Sequence, residues 1–530
     1  MPAALWILVI LLPLVSAPLV YLLGRTVRPY TLPKDYRSPA GWLSLAALLA
    51  AGACLVLAWT GAPGQSAYRV GGELLRFDGV SLLLAGSVLV LSSAAALFSI
   101  AYLQGEDNQE KFFALLNMLA GTMIGLGCAT DLFNLWVWFE AMAVSSYMLV
   151  TFYRHNRLAL EAGVKYLVQS AAGSGLVLTG IALVFAQTGT LSLAEIHAQV
   201  NASQLLAGGS QLAGGSQLAG GSQLAGGSLL LAAGALFIAG FGVKTALVPL
   251  HTWLPDAHSQ APSGVSALLS GVVIETGLVA LLRVSAALTS SAGSAAVASA
   301  WGPILLGFGA VNMLVGNLMA LRQVQVKRLL AYSSLSHIGY MLVGFGAALT
   351  FQAVNGAQGG FFHLLTHALM KGLAFLSAGS LLFTLHTANG DHTPLLLSDL
   401  AGAARRYPLA AFTFSIAVLG LGGLPPLAGF MSKWQIFLAG FQTSSGWMMA
   451  LVVFAALNST LSLAYYAPIV NLLYRREPGL AVKQGKPLPW TMALPLLLLA
   501  AAVLLLGVWP ALANGLVLPA GLDWIATFTG

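Results

Sequence analysis

LLLAAGALFIAGFGVKTALVPL, residues 229–250, is an apolar run with one charge, Lys244, and one helix breaker, Pro249. A hydrocarbon core about 30 Å thick is crossed by roughly 20 apolar residues in an α-helix. A charge placed inside that core costs roughly 3 kcal/mol even on the lenient insertion scales. The stretch therefore reads as a membrane-spanning helix that keeps an expensive lysine beside a break in its backbone. Irregular backbone at that depth is tolerated where it lines a cavity or protein interior rather than lipid.

Outward from this run the same reading repeats. Apolar stretches of spanning length, each with at most two charges, lie at 3–24, 41–60, 80–103, 112–130, 132–152, 164–187, 229–250, 263–289, 300–320, 329–349, 361–385, 408–442, 446–473 and 490–512, about fourteen crossings, the twelfth long enough to need a break. The chain is 58% hydrophobic, 7% charged and has a mean hydropathy of +0.85, against about 25% charged residues in a soluble domain. Residues 1–24 lack the basic start and small-residue cleavage site of a secretory signal and read as the first helix.

Lys and Arg gather in alternate loops, as the positive-inside rule requires. With the loop after the first helix taken as cytoplasmic, 16 of the 23 basic residues fall on that face, among them Arg28, Lys34, Arg154, Lys327, Arg405 and Arg476, and only Arg69 and Arg76 on the other. Both termini are then expected on the outer face. The net charge of +7 is accounted for by this rule and implies no nucleic-acid partner. Cys54 and Cys128 stand alone in apolar runs, without the grouped ligands of an iron–sulfur or zinc site, so no redox centre is expected in this chain.

The hexapeptide QLAGGS recurs at 211–216, 217–222 and 223–228, and the segment 203–228 is expected to be a flexible external loop. No stretch is long enough for a separate globular domain. The organisation expected is N-terminal transmembrane helices over 1–79, a first repeat over 80–290, a second over 291–475, and a C-terminal loop and helix over 476–530. A two-fold pattern supports the repeats: Lys244 precedes Pro249, and Lys433 follows Pro425 and Pro426. Broken helices at matching positions of two halves point to an ion site near the midplane.

Intramembrane charges are the candidate site. Glu140, in DLFNLWVWFEAMAVSSYMLV, is a desolvated carboxylate fit to carry a proton. Lys244 is its expected partner, and Lys433, in GLGGLPPLAGFMSKWQIF, repeats the lysine-at-a-break design. His363, His367 and Lys371 are spaced by four and share one helix face. Glu275 is a second buried acid, and His337 stands among serines that suit a hydrated relay. Lys165 and Arg283 lie near enough to helix ends to snorkel. His251, Asp256 and His258 form only a weak metal pattern, and no metal is expected there.

Four motifs in order, FGVKTALVPLHTWLPDAHSQAPSGVSALLSG (241–271), RLLAYSSLSHIGYMLVG (328–344), HALMKGLAFLSAG (367–379) and GLPPLAGFMSKW (423–434), resemble the antiporter-like membrane subunits shared by respiratory complex I (NADH-quinone oxidoreductase), Mrp-type cation/proton antiporters and membrane-bound hydrogenases. The resemblance covers about residues 80–475. It implies an all-α membrane fold of about fourteen helices in two inverted five-helix repeats, with broken seventh and twelfth helices. It implies that Glu140, Lys244, Lys433, His367 and Lys371 belong to the family's proton path. One departure is VIETG, whose Glu275 stands where the family commonly has lysine, which implies either a different ion coupling or pairing of Glu275 with Lys244 or Lys371. The function implied is a non-catalytic, proton-translocating subunit of a complex I-type assembly in a prokaryotic plasma membrane. A subunit of an Mrp-type Na+/H+ antiporter or a membrane-bound hydrogenase is the alternative. Other membrane subunits, lipid and protons or Na+ are the expected partners, with quinone, flavin and iron–sulfur clusters only in partner subunits.

Overall fold

The apolar runs fold into helices, some of which begin at a side-chain cap. The structure is a computed structural model and describes residues 2–29, 33, 36–61, 68–70, 74–212, 220–289, 296–389, 393–475 and 477–529. It opens with α1 (Pro2–Val27), α2 (Ala40–Thr60) and α3 (Gly79–Tyr102), and a small antiparallel hairpin, β1 (Tyr68–Val70) with β2 (Leu75–Phe77), precedes α3. Asp78 starts α3 with a capping box: its carboxylate accepts from Ser81 N at 3.0 Å, and its own N donates to Ser81 Oγ at 2.7 Å. α4 (Gln109–Cys128), α5 (Leu132–Val150) and α6 (Arg157–Thr188) follow. Asp131 caps α5 through Asn134 N at 2.7 Å, and Asn156 caps α6 through Leu158 N at 2.9 Å.

α7 (Leu193–Leu212) and α8 (Gly220–Thr245) flank the hexapeptide repeats. The loop expected over 203–228 is thus helical through Leu212 and again from Gly220. Repeat residues 213–219 lie outside the described residues, as do Lys34 and Arg476. α9 (Trp253–Gln260) and α10 (Ser263–Leu268) come next, and α10 passes through a π-helical turn, Leu269–Val273, into α11 (Ile274–Leu288). The second half comprises α12 (Ala296–Ala320), α13 (Val326–Phe351), α14 (Val354–Leu385), α15 (Pro408–Gly422), α16 (Ala428–Gln442), α17 (Gly446–Arg475), the short α18 (Leu480–Gln484), α19 (Trp490–Val508) and α20 (Asn514–Thr529).

Among the described residues, twelve helical stretches are long and apolar enough to cross a membrane, and two shorter apolar helices, Leu229–Thr245 and Pro408–Gly422, accompany them. Eleven of the twelve, those two and α5 coincide with the fourteen expected spans, and the chain is a multi-pass membrane protein. The twelfth, Pro510–Phe528, was not expected as a separate helix, and its contacts run across helix ends. Gly515 meets Trp59 at the end of α2, Asp523 Oδ2 accepts from Gly79 N at 2.7 Å at the start of α3, and Trp524 Nε1 donates to Leu282 O at 3.0 Å near the end of α11. These ends belong to one face, so α20 lies along that face.

The breaks fall where the prolines do. α8 stops at Thr245 and the chain resumes as α9 after Pro249; α15 and α16 are parted by residues 423–427, which contain Pro425 and Pro426. Asn312 of α12 takes up the polar groups freed at the first break, accepting from Val248 N at 2.9 Å and donating to Ala246 O at 3.4 Å. Glycines let helices approach closely: Gly309 of α12 and Gly339 of α13 face each other so tightly that a Cβ on either would come within 3 Å of the other's carbonyl oxygen.

Arg283 does not snorkel. Its guanidinium is largely shielded, the side chain 11% exposed, and grips Asp78 with two bonds, 2.5 and 2.7 Å, and donates to Gly127 O at 2.7 Å. A carboxylate 205 residues away in sequence makes burial cheaper than reaching the interface. Lys165 does stay exposed, paired with Glu161 at 2.8 Å and Asp256 at 3.1 Å.

Candidate functional site

α13 and α14 turn polar stripes toward each other. Ser333, His337 and Tyr340 recur at i, i+4 and i+7 on α13, and His363, His367 and Lys371 at i, i+4 and i+8 on α14, spacings that keep each set on one face. All are buried. Where the stripes meet, His337 Nδ1 and His363 Nε2 are 3.0 Å apart, and His363 Nδ1 lies 2.8 Å from Ser432 Oγ on α16. The His337 and His367 rings are 5.1 Å apart between centroids. His367 Nδ1 in turn lies 2.7 Å from Glu275 Oε1 on α11, both side chains fully shielded. Glu275 is therefore paired with His367, not with Lys244 or Lys371 as expected. The π-helical turn just before Ile274 sets the direction in which α11 presents this carboxylate.

Lysines flank this core. Lys371 Nζ donates to Leu330 O at 2.8 Å and to Ser333 Oγ. Lys433 Nζ donates to Leu421 O at 2.8 Å and Ser459 Oγ at 2.9 Å, and sits 4.7 Å from the Tyr340 ring centroid. The carbonyl it caps is one that the break after Gly422 leaves without a helical partner. Gly423 has φ +81°, and its approach to Ser459 and Lys433 leaves little room for a side chain.

On the other side, Lys244 Nζ donates to Tyr166 Oη at 2.6 Å and Ser146 Oγ at 3.1 Å, two oxygens that are themselves 2.8 Å apart. The ammonium lies 4.5 Å from the Tyr166 ring centroid, and that ring stacks on Trp253 of α9 at 3.9 Å. Trp253 Nε1 donates to Val243 O across the break at 2.8 Å. No hydrogen bond joins Glu140 to Lys244 among the described residues; its buried Oε1 has no hydrogen-bond partner among them, and it lies on α5 between exposed Val137 and Val144. Gly277 brings the backbone of α11 against Lys244, where an added Cβ would sit 3.1 Å from Lys244 Cβ.

Glu275, His337, His363 and His367 thus form one contiguous cluster, with Lys371 and Lys433 at its edges, while Lys244 with Tyr166 and Ser146 forms a second. His363, which bonds through both ring nitrogens, can take a proton on one and release it from the other. Sequence reasoning missed Ser146, Tyr166, Ser333, Tyr340, Ser432, Ser459 and Asn312. The spacing of Ser333 and Tyr340 about His337 was the one signal that could have found any of them.

A family model described as "NADH:quinone oxidoreductase/Mrp antiporter, TM" matches residues 129–459. The chain is 34% identical over 447 residues, 84% of this chain and 83% of the relative, to F(420)H(2) dehydrogenase subunit N of Methanosarcina mazei. It is 30% identical over 533 residues, 96% of each, to NADH-quinone oxidoreductase subunit N of Desulforudis audaxviator. Among solved structures it is similar to a chain of the membrane-bound sulfane sulfur reductase, an archaeal respiratory membrane complex, with TM-score 0.81 and 26% identity over 98% of this chain and 99% of that one.

Proposed function

The chain belongs to the NADH:quinone oxidoreductase/Mrp antiporter family, and on that premise we propose that it is the proton-translocating membrane subunit of a complex I-type electron-transfer assembly. The observation that carries this reading is the buried run from Glu275 through His367, His337 and His363 to Ser432, whose neighbouring contacts span 2.7 to 5.1 Å. Buried charges and imidazoles are costly, and structural packing alone gives no reason to string them together between two helix breaks. Glu140 and Lys244 would load one end of the path and Lys433 would unload the other, with Lys371 and His337 between. The relatives' names, subunits of an F(420)H(2) dehydrogenase and of an NADH-quinone oxidoreductase, favour redox drive, with quinone, flavin and iron–sulfur clusters held by partner subunits.

The basic loops are assigned to the cytoplasmic side of a prokaryotic plasma membrane, and both termini to the outer face. Arg28 pairs with Asp107 at 2.7 Å, Arg328 with Asp256 at 2.5 Å and Arg405 with Glu477 at 2.7 Å, contacts that fit loops gathered on one side. The test is purification of the native assembly and its reconstitution into vesicles. Flavin or iron–sulfur subunits together with donor-driven proton uptake are expected. Only small hydrophobic companions, with proton flux driven by a sodium gradient alone, would overturn the redox reading in favour of Mrp-type antiport.

A further inference from the structure

We propose that the groove between α2 and α19, on the surface of α3, binds an anionic phospholipid of the leaflet on the basic-loop side; the site is independent of what drives translocation. α2 and α19 both pack on α3, and among the described residues they do not pack side by side. Their first turns are joined by the indoles of Trp42 and Trp490, stacked with ring centroids 6.1 Å apart and each about half exposed. From Trp42 an apolar stripe descends α2 through exposed Leu49 and Val56, and from Trp490 another descends α19 through exposed Leu494 and Leu497, spacings that hold each set on one face. α3 supplies the floor. Its other sides are covered by α4, α10, α14 and α20, yet Val90 is half exposed, and a Cβ added at Gly86 would meet nothing within 4 Å. At the far end the link from α19 to α20 crosses to α2, where Gly515 meets Trp59, so the groove is closed on that face.

The width and the charge of the mouth fix the occupant. An α-helix with its side chains is about 10–12 Å across, and a mouth bridged by indoles 6.1 Å apart cannot pass one along α3. Acyl chains are narrower and fit below the indoles, which sit at the headgroup level that tryptophan prefers. The mouth is also basic. Arg37, five residues before Trp42, donates to Gln104 Oε1 at 3.2 Å just beyond the end of α3, which leaves most of a guanidinium's N–H donors for another acceptor. Lys486, four residues before Trp490, is exposed, and its backbone is fixed by N donating to Thr384 O at 2.9 Å and O accepting from Tyr407 Oη at 3.0 Å. Neither cation forms an ion pair among the described residues. A phosphate above the indoles answers both, as anionic headgroups do in basic pockets between membrane helices. One leaflet is about 15 Å deep, about ten residues of helix, so the chains reach Gly52 on α2, where an added Cβ would again meet nothing within 4 Å.

The test places the intact assembly in phosphatidylcholine nanodiscs doped with phosphatidylglycerol that carries a diazirine midway along one chain, and in a parallel sample with phosphatidylcholine carrying the same chain. Photolysis followed by peptide mass spectrometry reads the adducts. The anionic probe is expected to label residues 42–52 of α2 and 490–500 of α19 at least about tenfold more than the zwitterionic probe. Arg37→Gln/Lys486→Gln, which alters two side chains outside the packed core, should bring that ratio near one at an unchanged unfolding temperature. Equal labelling by the two probes in the parent would show ordinary bilayer in the groove and overturn the proposal. A preference that survives the double variant would overturn it too, and so would segments that neither probe labels, which would mean that a partner subunit covers them.

Discussion

Lys244→Met separates a functional lysine from a structural one. The ammonium donates to Tyr166 Oη at 2.6 Å and Ser146 Oγ at 3.1 Å, each charged bond being worth about 1.5–3 kcal/mol. Against them stands the desolvation of a fully buried cation, several kcal/mol. Removing the lysine leaves both hydroxyls bonded: the two oxygens remain 2.8 Å apart, and Ser146 Oγ also donates to Ala143 O at 2.8 Å. Methionine fills most of the vacated volume with a flexible apolar chain. The opposing terms cancel to within about 2 kcal/mol. The variant should therefore assemble and unfold within about 4 °C of the parent, while protons translocated per electron fall about a hundredfold or more. Thermal unfolding of the purified assembly and donor-driven proton uptake in vesicles measure the two quantities. Failed assembly, or translocation that falls only in step with the folded fraction, would make Lys244 a packing residue; undiminished translocation would remove it from the path.

Three further outcomes are expected. Asp78→Ala strips Arg283 of both carboxylate bonds and should cost about 3–5 kcal/mol, much of it recovered in Asp78→Ala/Arg283→Met; a double variant no more stable than the single would refute a buried ion pair. Glu275→Gln keeps an acceptor for His367 but exchanges no proton, so assembly should persist while translocation falls about a hundredfold, and parent-like pumping would contradict the assignment. Gly423→Ala places a Cβ at φ +81°, about 3.1 Å from Ser459 Oγ, and should cost about 1–2 kcal/mol as well as slowing proton release at Lys433. Equal unfolding temperature and flux in variant and parent would show the break to be tolerant.

What was legible in the chain and what was not divides along a physical line. A membrane demands long apolar helices, so nearly every crossing could be read directly. A buried charge is costly wherever it occurs, so Glu140, Lys244, Glu275, Lys371 and Lys433 announced themselves, and the breaks followed from Pro249, Pro425 and Pro426. The partners of those charges did not show. Ser146, Tyr166 and Ser459 are ordinary hydroxyl residues in membrane helices, and nothing around them in sequence names the lysine they serve. The Glu275–His367 contact joins residues 92 apart, and the Asp78–Arg283 pair joins residues more distant still, so Arg283 looked like a helix-end residue. α20 has the composition of a crossing, and only its contacts along one face show otherwise.

The π-helical turn at Leu269–Val273 has a bearing on how this site could change over time. A turn closed by i→i+5 bonds holds one residue more than an α-helical turn for nearly the same rotation, so losing one residue within it would restore a regular helix with Glu275 still turned toward His367. A residue gained or lost elsewhere along α10 would instead swing the carboxylate roughly a quarter of a revolution away. The turn at Leu269–Val273 is thus a place where the count of residues can change without rewiring the cluster.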